Sequence, residues 1–147
     1  AVPPQYFPLA RPYYFAKKLI KKGYNVTIFA ASSVHNSNKN LIKKNELFKI
    51  EIIDGINYIY VKTCNYKGNG ITRIKNMFEY SFRLICITGN FKKPDVILAT
   101  SVHPLACVAG IKIAKKLNCK CIVEIADMWP LTLVEMGKLK ENSIITK

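Results

Sequence analysis

The chain has 147 residues, 50% of them hydrophobic, and its 23 Lys and Arg against nine Asp and Glu give a formal net charge of +14. This length suits one ordinary domain and is short for an enzyme that binds two substrates. No apolar run approaches the roughly 18 residues of a membrane-spanning helix, and the first residues do not resemble a signal peptide, so the sequence predicts a soluble, cytoplasmic protein.

The first predicted elements are an amphipathic helix and a buried strand. The helix is predicted in "RPYYFAKKLIKKG", where the apolar residues Phe15, Ala16, Leu19 and Ile20 face away from the basic residues Lys17, Lys18, Lys21 and Lys22. Pro12 suits its first turn and Gly23 its end. Residues 25–31, "NVTIFAA", are apolar on both faces, which is typical of a parallel strand covered by helices, and residues 32–40 predict a loop.

A hairpin and a long helix are predicted next. Two β-rich runs in "LFKIEIIDGINYIYVKT" flank Asp54-Gly55, which is the strongest short-range signal for an antiparallel hairpin. The helix is predicted over residues 72–88, with one stripe formed by Ile74, Met77, Phe78, Ser81, Ile85 and Thr88. The stripe is widened by Phe82, Leu84, Cys86 and Ile87. We expect this face to pack in a core, with a lipid interface as the alternative.

The remaining elements decide the predicted fold class. A strand over residues 95–100 is followed by a helix in "HPLACVAGIKIAKKLN", with Pro104 near its first position and Asn118 at its end, and by a strand in "CKCIVEI". Strands that alternate with helices imply parallel pairing through right-handed crossovers. The sequence therefore predicts an α/β fold, a Rossmann-like three-layer sandwich with a mostly parallel sheet and one antiparallel hairpin, in a single domain over residues 1–147.

Polar residues follow three of the predicted strands, where parallel sheets bind ligands. They are Ser32, Ser33 and His35 after the first strand, Ser101 and His103 after residue 100, and Asp127 and Trp129 after residue 125. Neither GxGxxG nor GxxxxGK[ST] occurs, so no nucleotide or other cofactor site is predicted within this chain. The five cysteines form no CxxC pair and are interpreted as reduced core residues, and no metal site is predicted.

The roles of three of these residues stay open on spacing alone. His103 could bind a phosphate or carboxylate or transfer a proton, or it could satisfy the backbone of the helix that it precedes. Asp127 could act as a general base or accept hydrogen bonds from substrate hydroxyls, or it could cap the next helix, although Trp129 fits that cap better because Pro130 suits the first turn. Trp129 could stack on a sugar or fill a core.

Four segments carry a family resemblance. They are "PQYFPLARPYYFAKKLIKKGYNVTIFAAS", "DGINYIYVKTCNYKGNGITRIKNM", "KPDVILATSVHPL" and "EIADMWPLTLVEMG", in this order. Together they cover nearly the whole chain and resemble the amino-terminal domain of family 4 retaining glycosyltransferases of the GT-B fold. The most similar subgroup builds capsular and other surface polysaccharides. The turn D-[LM]-W-P and the "KGNG" block are the more specific parts of this resemblance.

The resemblance implies a function and a set of site residues. The amino-terminal domain of such enzymes binds the acceptor, here a glycan or lipid-diphosphate-linked acceptor, whereas a carboxyl-terminal domain binds the nucleotide-sugar donor. It implies that Asp127 is the catalytic residue, facing the cleft between the domains, and that Ser101, His103 and Trp129 border the acceptor. Arg11 is expected to meet an acceptor phosphate by bidentate hydrogen bonding. The basic excess is expected to hold the domain on the inner face of an anionic membrane.

Two departures from the family pattern bear on activity. Residues 1–10, "AVPPQYFPLA", give at most a shortened first strand without glycine, and Ala126 stands where relatives carry His or Arg before the Asp of the turn. The chain alone is therefore not expected to transfer sugar. Two other classes remain: a non-catalytic acceptor-binding or membrane-recruiting subunit that works with a separate donor-binding chain, and a nucleic-acid-binding domain driven by charge. The second ranks last because the basic residues are spread over several segments.

Overall fold

A computed structural model describes residues 3–6, 10–35, 37–43, 45–68, 70–101 and 103–125, together with Val134, Glu135 and Gly137. The chain divides into two compact units, residues 1–87 and 88–147, which are described separately below. Within the described residues the fold is α/β, with a mixed three-stranded sheet, a parallel two-stranded sheet and three α-helices. The predicted class is confirmed at this level, while the single-domain organisation stays a prediction.

The first unit is built around a central strand. Its elements are α1 (Arg11–Lys21), β1 (Thr27–Ala31), β2 (Phe48–Ile53), β3 (Ile56–Val61) and α2 (Ile71–Ile87). β3 lies between β1, with which it pairs in parallel, and β2, with which it pairs antiparallel. The hairpin turn has φ of 50° at Asp54 and 79° at Gly55, which are the positive values that a type I′ turn requires. The predicted hairpin is therefore confirmed.

One side of β3 packs against α1. Tyr13 and Ala16 of the helix belong to a core cluster with Ile56, Tyr58 and Tyr60, alternate residues of the strand. The two strand tyrosines stack with ring centroids 5.9 Å apart. Among the described residues their hydroxyls have no hydrogen-bond partner, and burial raises the pKa of Tyr58 to about 12. These phenols therefore stay neutral, and their rings fill the core as apolar side chains do.

A polar contact ties α1 to the hairpin turn. The Tyr13 hydroxyl donates a hydrogen bond to the Asp54 carboxylate, and the Lys17 ammonium lies 4.0 Å from the same carboxylate. The hydrogen bond to Asp54 is the main reason that the pKa of Tyr13 is raised. The turn and the helix are 41 residues apart along the chain. This contact therefore fixes where the hairpin ends relative to the helix.

The face that α2 buries agrees with the predicted stripe only in part. The predicted stripe included Ile74 and Phe78, whose side chains are 52% and 59% exposed, and Phe82 is 71% exposed. The buried residues of α2 are Ser81 of the predicted stripe, Leu84 and Ile87 of its widened part, and Asn76, which the prediction left out. The second half of this helix is apolar nearly all round, so apolar spacing alone could not choose its inward side. Hydrogen bonds from α2 to the strands and to the segments that follow them determine which side is buried.

The second unit is a parallel strand pair with one helix. Its elements are a short 3-10 helix (Thr88–Asn90), β4 (Val96–Thr100), α3 (Pro104–Leu117) and β5 (Lys120–Glu124). Register runs from Val96 beside Lys120 to Thr100 beside Glu124. α3 approaches β4 closely, because a Cβ added to Gly110 would lie 2.5 Å from the Cβ of Ala99. Asn118 ends the helix in the left-handed conformation, with φ of 49°, as predicted.

Candidate functional site

The predicted site residues fall partly outside the described residues. Asp127 and Trp129 lie there, so their roles stay predictions. Arg11 is the exposed first residue of α1 in the first unit. Ser101 and His103 follow β4 in the second unit. Ser101 and His103 thus belong to one unit, whereas Arg11 belongs to the other.

Ser101 lies at the carboxyl end of the parallel pair β4 and β5. Its backbone N–H donates to the carbonyl of Glu124 over 2.8 Å, which joins the first residue after β4 to the last residue of β5. Ser101 is buried, with 9% of its surface exposed. The two chain segments that leave this edge of the sheet therefore start side by side. This is the edge at which ligands bind in parallel sheets.

His103 caps α3. Its backbone is extended, with φ of −157° and ψ of 153°, and its imidazole Nδ1 accepts a hydrogen bond from the backbone N–H of Ala106 over 3.2 Å. An accepting Nδ1 carries no proton, so the neutral ring has its proton on Nε2. This geometry favours the second of the two predicted interpretations, in which His103 satisfies the backbone of the helix that it precedes.

The capping role predicts different outcomes for two substitutions. His103→Asn keeps a good N-cap side chain and is expected to leave the stability of the second unit within about 0.5 kcal/mol. His103→Ala removes the imidazole acceptor and leaves the Ala106 N–H only the His103 carbonyl, at 3.0 Å, so it is expected to cost about 1 kcal/mol. Urea unfolding, with hydrogen exchange of the Ala106 amide, measures both. Equal losses in the two variants would show that the imidazole does more than cap the helix.

A buried polar network occupies the carboxyl ends of β1 and β3 in the first unit. Thr63 donates its backbone N–H to the Ser32 hydroxyl (3.0 Å) and its own hydroxyl to that of Ser33 (3.1 Å). The Asn76 amide donates to the Ser33 hydroxyl (2.8 Å) and to the backbone carbonyl of Cys64 (2.5 Å). The four polar side chains are each at most 6% exposed. Ser32 and Ser33, predicted to border a ligand, are here bonded to other side chains and backbone.

Other polar side chains of α2 extend this network along β1 and β3. Glu79 accepts from the Cys64 N–H over 2.7 Å, and the Tyr80 hydroxyl donates to the Phe29 carbonyl over 3.1 Å. Arg83 donates to the Lys62 carbonyl over 2.6 Å. Together with Asn76 these residues occupy successive turns on one side of the helix. They orient α2 with its polar side toward the strands, which explains why Phe78 points outward.

The surroundings of Cys64 favour its neutral thiol. Burial raises the pKa of its thiol, and the nearby Glu79 carboxylate acts in the same direction. A thiolate is the nucleophilic form, so this environment disfavours nucleophilic catalysis by Cys64. Sequence reasoning did not identify Thr63 or Asn76 as members of the cluster. Asn76 lies outside the predicted apolar stripe of α2, so the apolar pattern gave no signal for it.

His35 pairs with Tyr66 at the same end of the first unit. The imidazole Nδ1 lies 2.7 Å from the Tyr66 hydroxyl, and the two rings meet edge to face. Burial raises the pKa of Tyr66, so the phenol stays protonated. His35 is exposed. This pair offers a ligand both an imidazole and a phenol, the groups that hydrogen-bond hydroxyls.

Neither a metal centre nor a membrane span is present in the part of the chain that the structure describes. No group of three or more His, Cys, Asp and Glu comes together there in a way that could hold a metal ion. No helix there combines the length and apolar character needed to cross a bilayer. An open groove of about 650 Å³ lies at the amino ends of β4 and β5, lined by Lys93, Pro94, Asp95, Asn118, Cys119 and Lys120. That groove is at the edge of the sheet opposite Ser101.

Comparison with known proteins identifies no relative of this chain. No protein-family model matches the chain. No curated protein and no solved structure matches it either. The functional argument therefore rests on the residues themselves and on the sequence resemblance given above.

Proposed function

We propose that the chain is the acceptor-binding domain of a retaining glycosyltransferase of the GT-B fold, resembling family 4 enzymes of capsular and surface polysaccharide synthesis. The enzyme would transfer a sugar from a nucleotide-sugar donor to a glycan or lipid-linked acceptor. The described elements support this proposal, because a domain of this kind is expected to contain helices and parallel strands, and the described residues form both. The proposal includes a Rossmann-like three-layer sandwich with a mostly parallel sheet.

The backbone bond between Ser101 and Glu124 carries the proposal. Asp127 follows Glu124 by three residues, which span at most about 11 Å of chain. We propose that Asp127 acts near the edge of the sheet that holds Ser101 and His103. A carboxylate in this position can accept hydrogen bonds from acceptor hydroxyls or take a proton from one of them. Trp129 would supply a face for sugar stacking, and Arg11 would bind an acceptor phosphate.

The donor and the membrane are the proposed partners. The nucleotide-sugar would bind a second domain, carried by the same polypeptide or by a partner chain. No cofactor is expected to bind these 147 residues. A lipid-linked acceptor lies in a bilayer, so the domain would work on the inner face of the membrane as a peripheral protein, attracted by its basic surface.

Acceptor binding tests the proposal directly. Saturation-transfer NMR with short-chain polyprenyl-diphosphate monosaccharides and disaccharides would detect binding by the purified chain. Asp127→Ala is expected to lower affinity about tenfold to a hundredfold, because hydrogen bonds to a charged group are worth about 1.5–3 kcal/mol. Asp95→Ala is the matched control, since this exposed aspartate lies at the amino end of β4.

Three outcomes separate the possibilities. A loss confined to Asp127→Ala supports an acceptor site at the carboxyl edge of the sheet. Equal affinities in all three proteins would contradict the role of Asp127. No binding of any acceptor analogue by the unaltered chain would contradict the acceptor-binding function itself.

A second candidate is a non-catalytic acceptor-binding or membrane-recruiting subunit. Two observations favour it: Ala126 replaces the basic residue of the family turn, and the His103 Nδ1 is occupied in capping α3. This candidate predicts acceptor binding without turnover, even when a donor-binding chain that co-purifies with it is present. Turnover by the assembled pair, lost in Asp127→Ala, would exclude it.

A further inference from the structure

The outward face of α1 is the most basic helical surface that the structure describes in the first unit. Lys18, Lys21 and Lys22 are exposed, and no acidic residue occurs between residues 11 and 22. Lys17 differs from them, because its ammonium is directed to Asp54 and to the Tyr13 ring. The helix is about 16 Å long, so the three exposed lysines form one short row.

Exposed aromatic rings border this row. Tyr14 is 53% exposed, Phe15 is 50% exposed and Tyr24, just after the helix, is 62% exposed. None of the three belongs to the core cluster of the first unit. Phe15 was predicted on the side of α1 away from the lysines, but it is exposed, and Tyr13 and Ala16 are the buried residues of the helix. Lysines beside aromatic rings are the composition of helices that lie in a membrane interface, where rings enter the headgroup layer and ammonium groups meet lipid phosphates.

The wider charge distribution favours the same partner. Residues 1–87 contain 14 Lys and Arg and four Asp and Glu, a net charge of +10. These cations are spread over α1, β2, α2 and the loops, and a flat anionic surface attracts dispersed cations at long range. A nucleic-acid groove instead requires the basic groups to gather on one recognition element.

We propose that the lysine and aromatic face of α1, formed by Tyr14, Phe15, Lys18, Lys21, Lys22 and Tyr24, docks the chain onto a bilayer rich in anionic phospholipid. This assignment deepens the proposed function, on which it rests for its membrane setting. Binding combines attraction of the three ammonium groups to lipid phosphates with shallow insertion of the rings. The helix lies parallel to the membrane surface with Tyr13 and Ala16 turned toward the protein core.

Vesicle co-sedimentation of the whole chain tests the proposal. The probes are vesicles of phosphatidylglycerol mixed with phosphatidylcholine, and vesicles of phosphatidylcholine alone, at low and physiological salt. The triple variant K18A/K21A/K22A is expected to lose about 100-fold in partitioning to anionic vesicles, because each basic residue near such a surface contributes about fivefold. F15S is expected to lower the binding that persists at physiological salt.

The matched control is K112A/K115A/K116A. It removes three exposed lysines from α3, so it lowers the net charge by the same amount without touching α1. We expect this variant to lose much less partitioning than the α1 variant. Circular dichroism of both variants checks that they remain folded. If the α1 variant unfolds, the milder variant K18Q/K21Q is measured in its place.

Each other outcome overturns the docking surface. Equal losses in the two triple variants would show a general charge effect. Equal binding to anionic and neutral vesicles would show that an anionic bilayer is not the partner. Tighter binding to duplex DNA than to anionic vesicles at matched salt would indicate that the partner is nucleic acid. Binding of water-soluble acceptor analogues is measured separately, so failure of vesicle docking is distinguishable from failure of acceptor recognition.

Discussion

Replacing Gly110 with valine is expected to destabilise the second unit by about 3 kcal/mol, because overpacking a well-packed contact costs about 1–3 kcal/mol and a β-branched residue is also less favourable in a helix. A Cβ at this position would lie 2.5 Å from the Cβ of Ala99 and 3.9 Å from a methyl group of Ile97. The Ala99 methyl group is fixed to the backbone of β4, so the conflict can be relieved only by moving α3 away from the strand.

Alanine at the same position separates two opposing effects. Gly110→Ala introduces the same clash but gains about 1 kcal/mol of helix propensity, so its net loss is expected to be smaller than that of valine. Ala99→Gly in the same chain removes the opposing methyl group. We therefore expect the double variant to recover stability, with a coupling energy of about 1 kcal/mol or more.

The measurement is urea unfolding combined with hydrogen exchange of the amides in α3 and β4. Gly89→Ala is the matched control in the same unit, because no atom lies within 4 Å of a Cβ added there and its φ is not in the left-handed region. It is expected to change the free energy of unfolding by less than about 0.5 kcal/mol. Similar losses in Gly89→Ala and Gly110→Ala would refute the close approach of α3 to β4.

The second large effect is expected at Asn76. Asn76→Ala removes the two hydrogen bonds that its amide donates to the Ser33 hydroxyl and the Cys64 carbonyl. The Cys64 carbonyl loses its donor, whereas the Ser33 hydroxyl keeps its bond with Thr63. A buried group left without a partner costs about 1–3 kcal/mol, so the first unit should lose about 2 kcal/mol. Asn76→Asp is expected to be at least as damaging, because a carboxylate cannot donate to either oxygen and adds a buried charge.

Asn57→Ala is the matched control, because Asn57 is exposed on β3. It is expected to change stability by less than about 0.5 kcal/mol. Chemical denaturation gives the two free energies, and hydrogen exchange of the amides of Ser33, Thr63 and Cys64 locates the loss. If Asn76→Ala unfolds like Asn57→Ala, the network does not hold α2 against β1 and β3.

Much of the fold was predictable because its signals are local. The turn residues Asp54 and Gly55 specified the hairpin, since both adopt the positive φ that the turn needs. Pro104 and Asn118 bounded α3 because proline fits a first helical turn and asparagine tolerates the left-handed end. Alternation of strands and helices predicted the α/β class, and the parallel pairs agree with it.

The candidate site was predictable only in part. Ser33 and Ser101 lie at the carboxyl ends of β1 and β4, as their positions in the sequence predicted. Thr63 and Asn76 were not predicted as their neighbours, because they are separated from Ser33 by 30 and 43 residues. The parallel pairing of β1 with β3 brings these ends together, and sequence spacing does not specify which strands will be neighbours.

The sequence by itself determined the helices and strands of the described residues, to within one or two residues at their ends, and the basic charge, since these depend on each residue and its near neighbours. The tertiary structure decided which side of α2 is buried. Apolar periodicity favoured the side with Ile74 and Phe78, but Asn76, Tyr80 and Arg83 bond to β1, β3 and the segments that follow them. Backbone groups at strand ends need partners when they are buried, and this requirement outweighed the apolar pattern because only the folded chain brings those groups within reach.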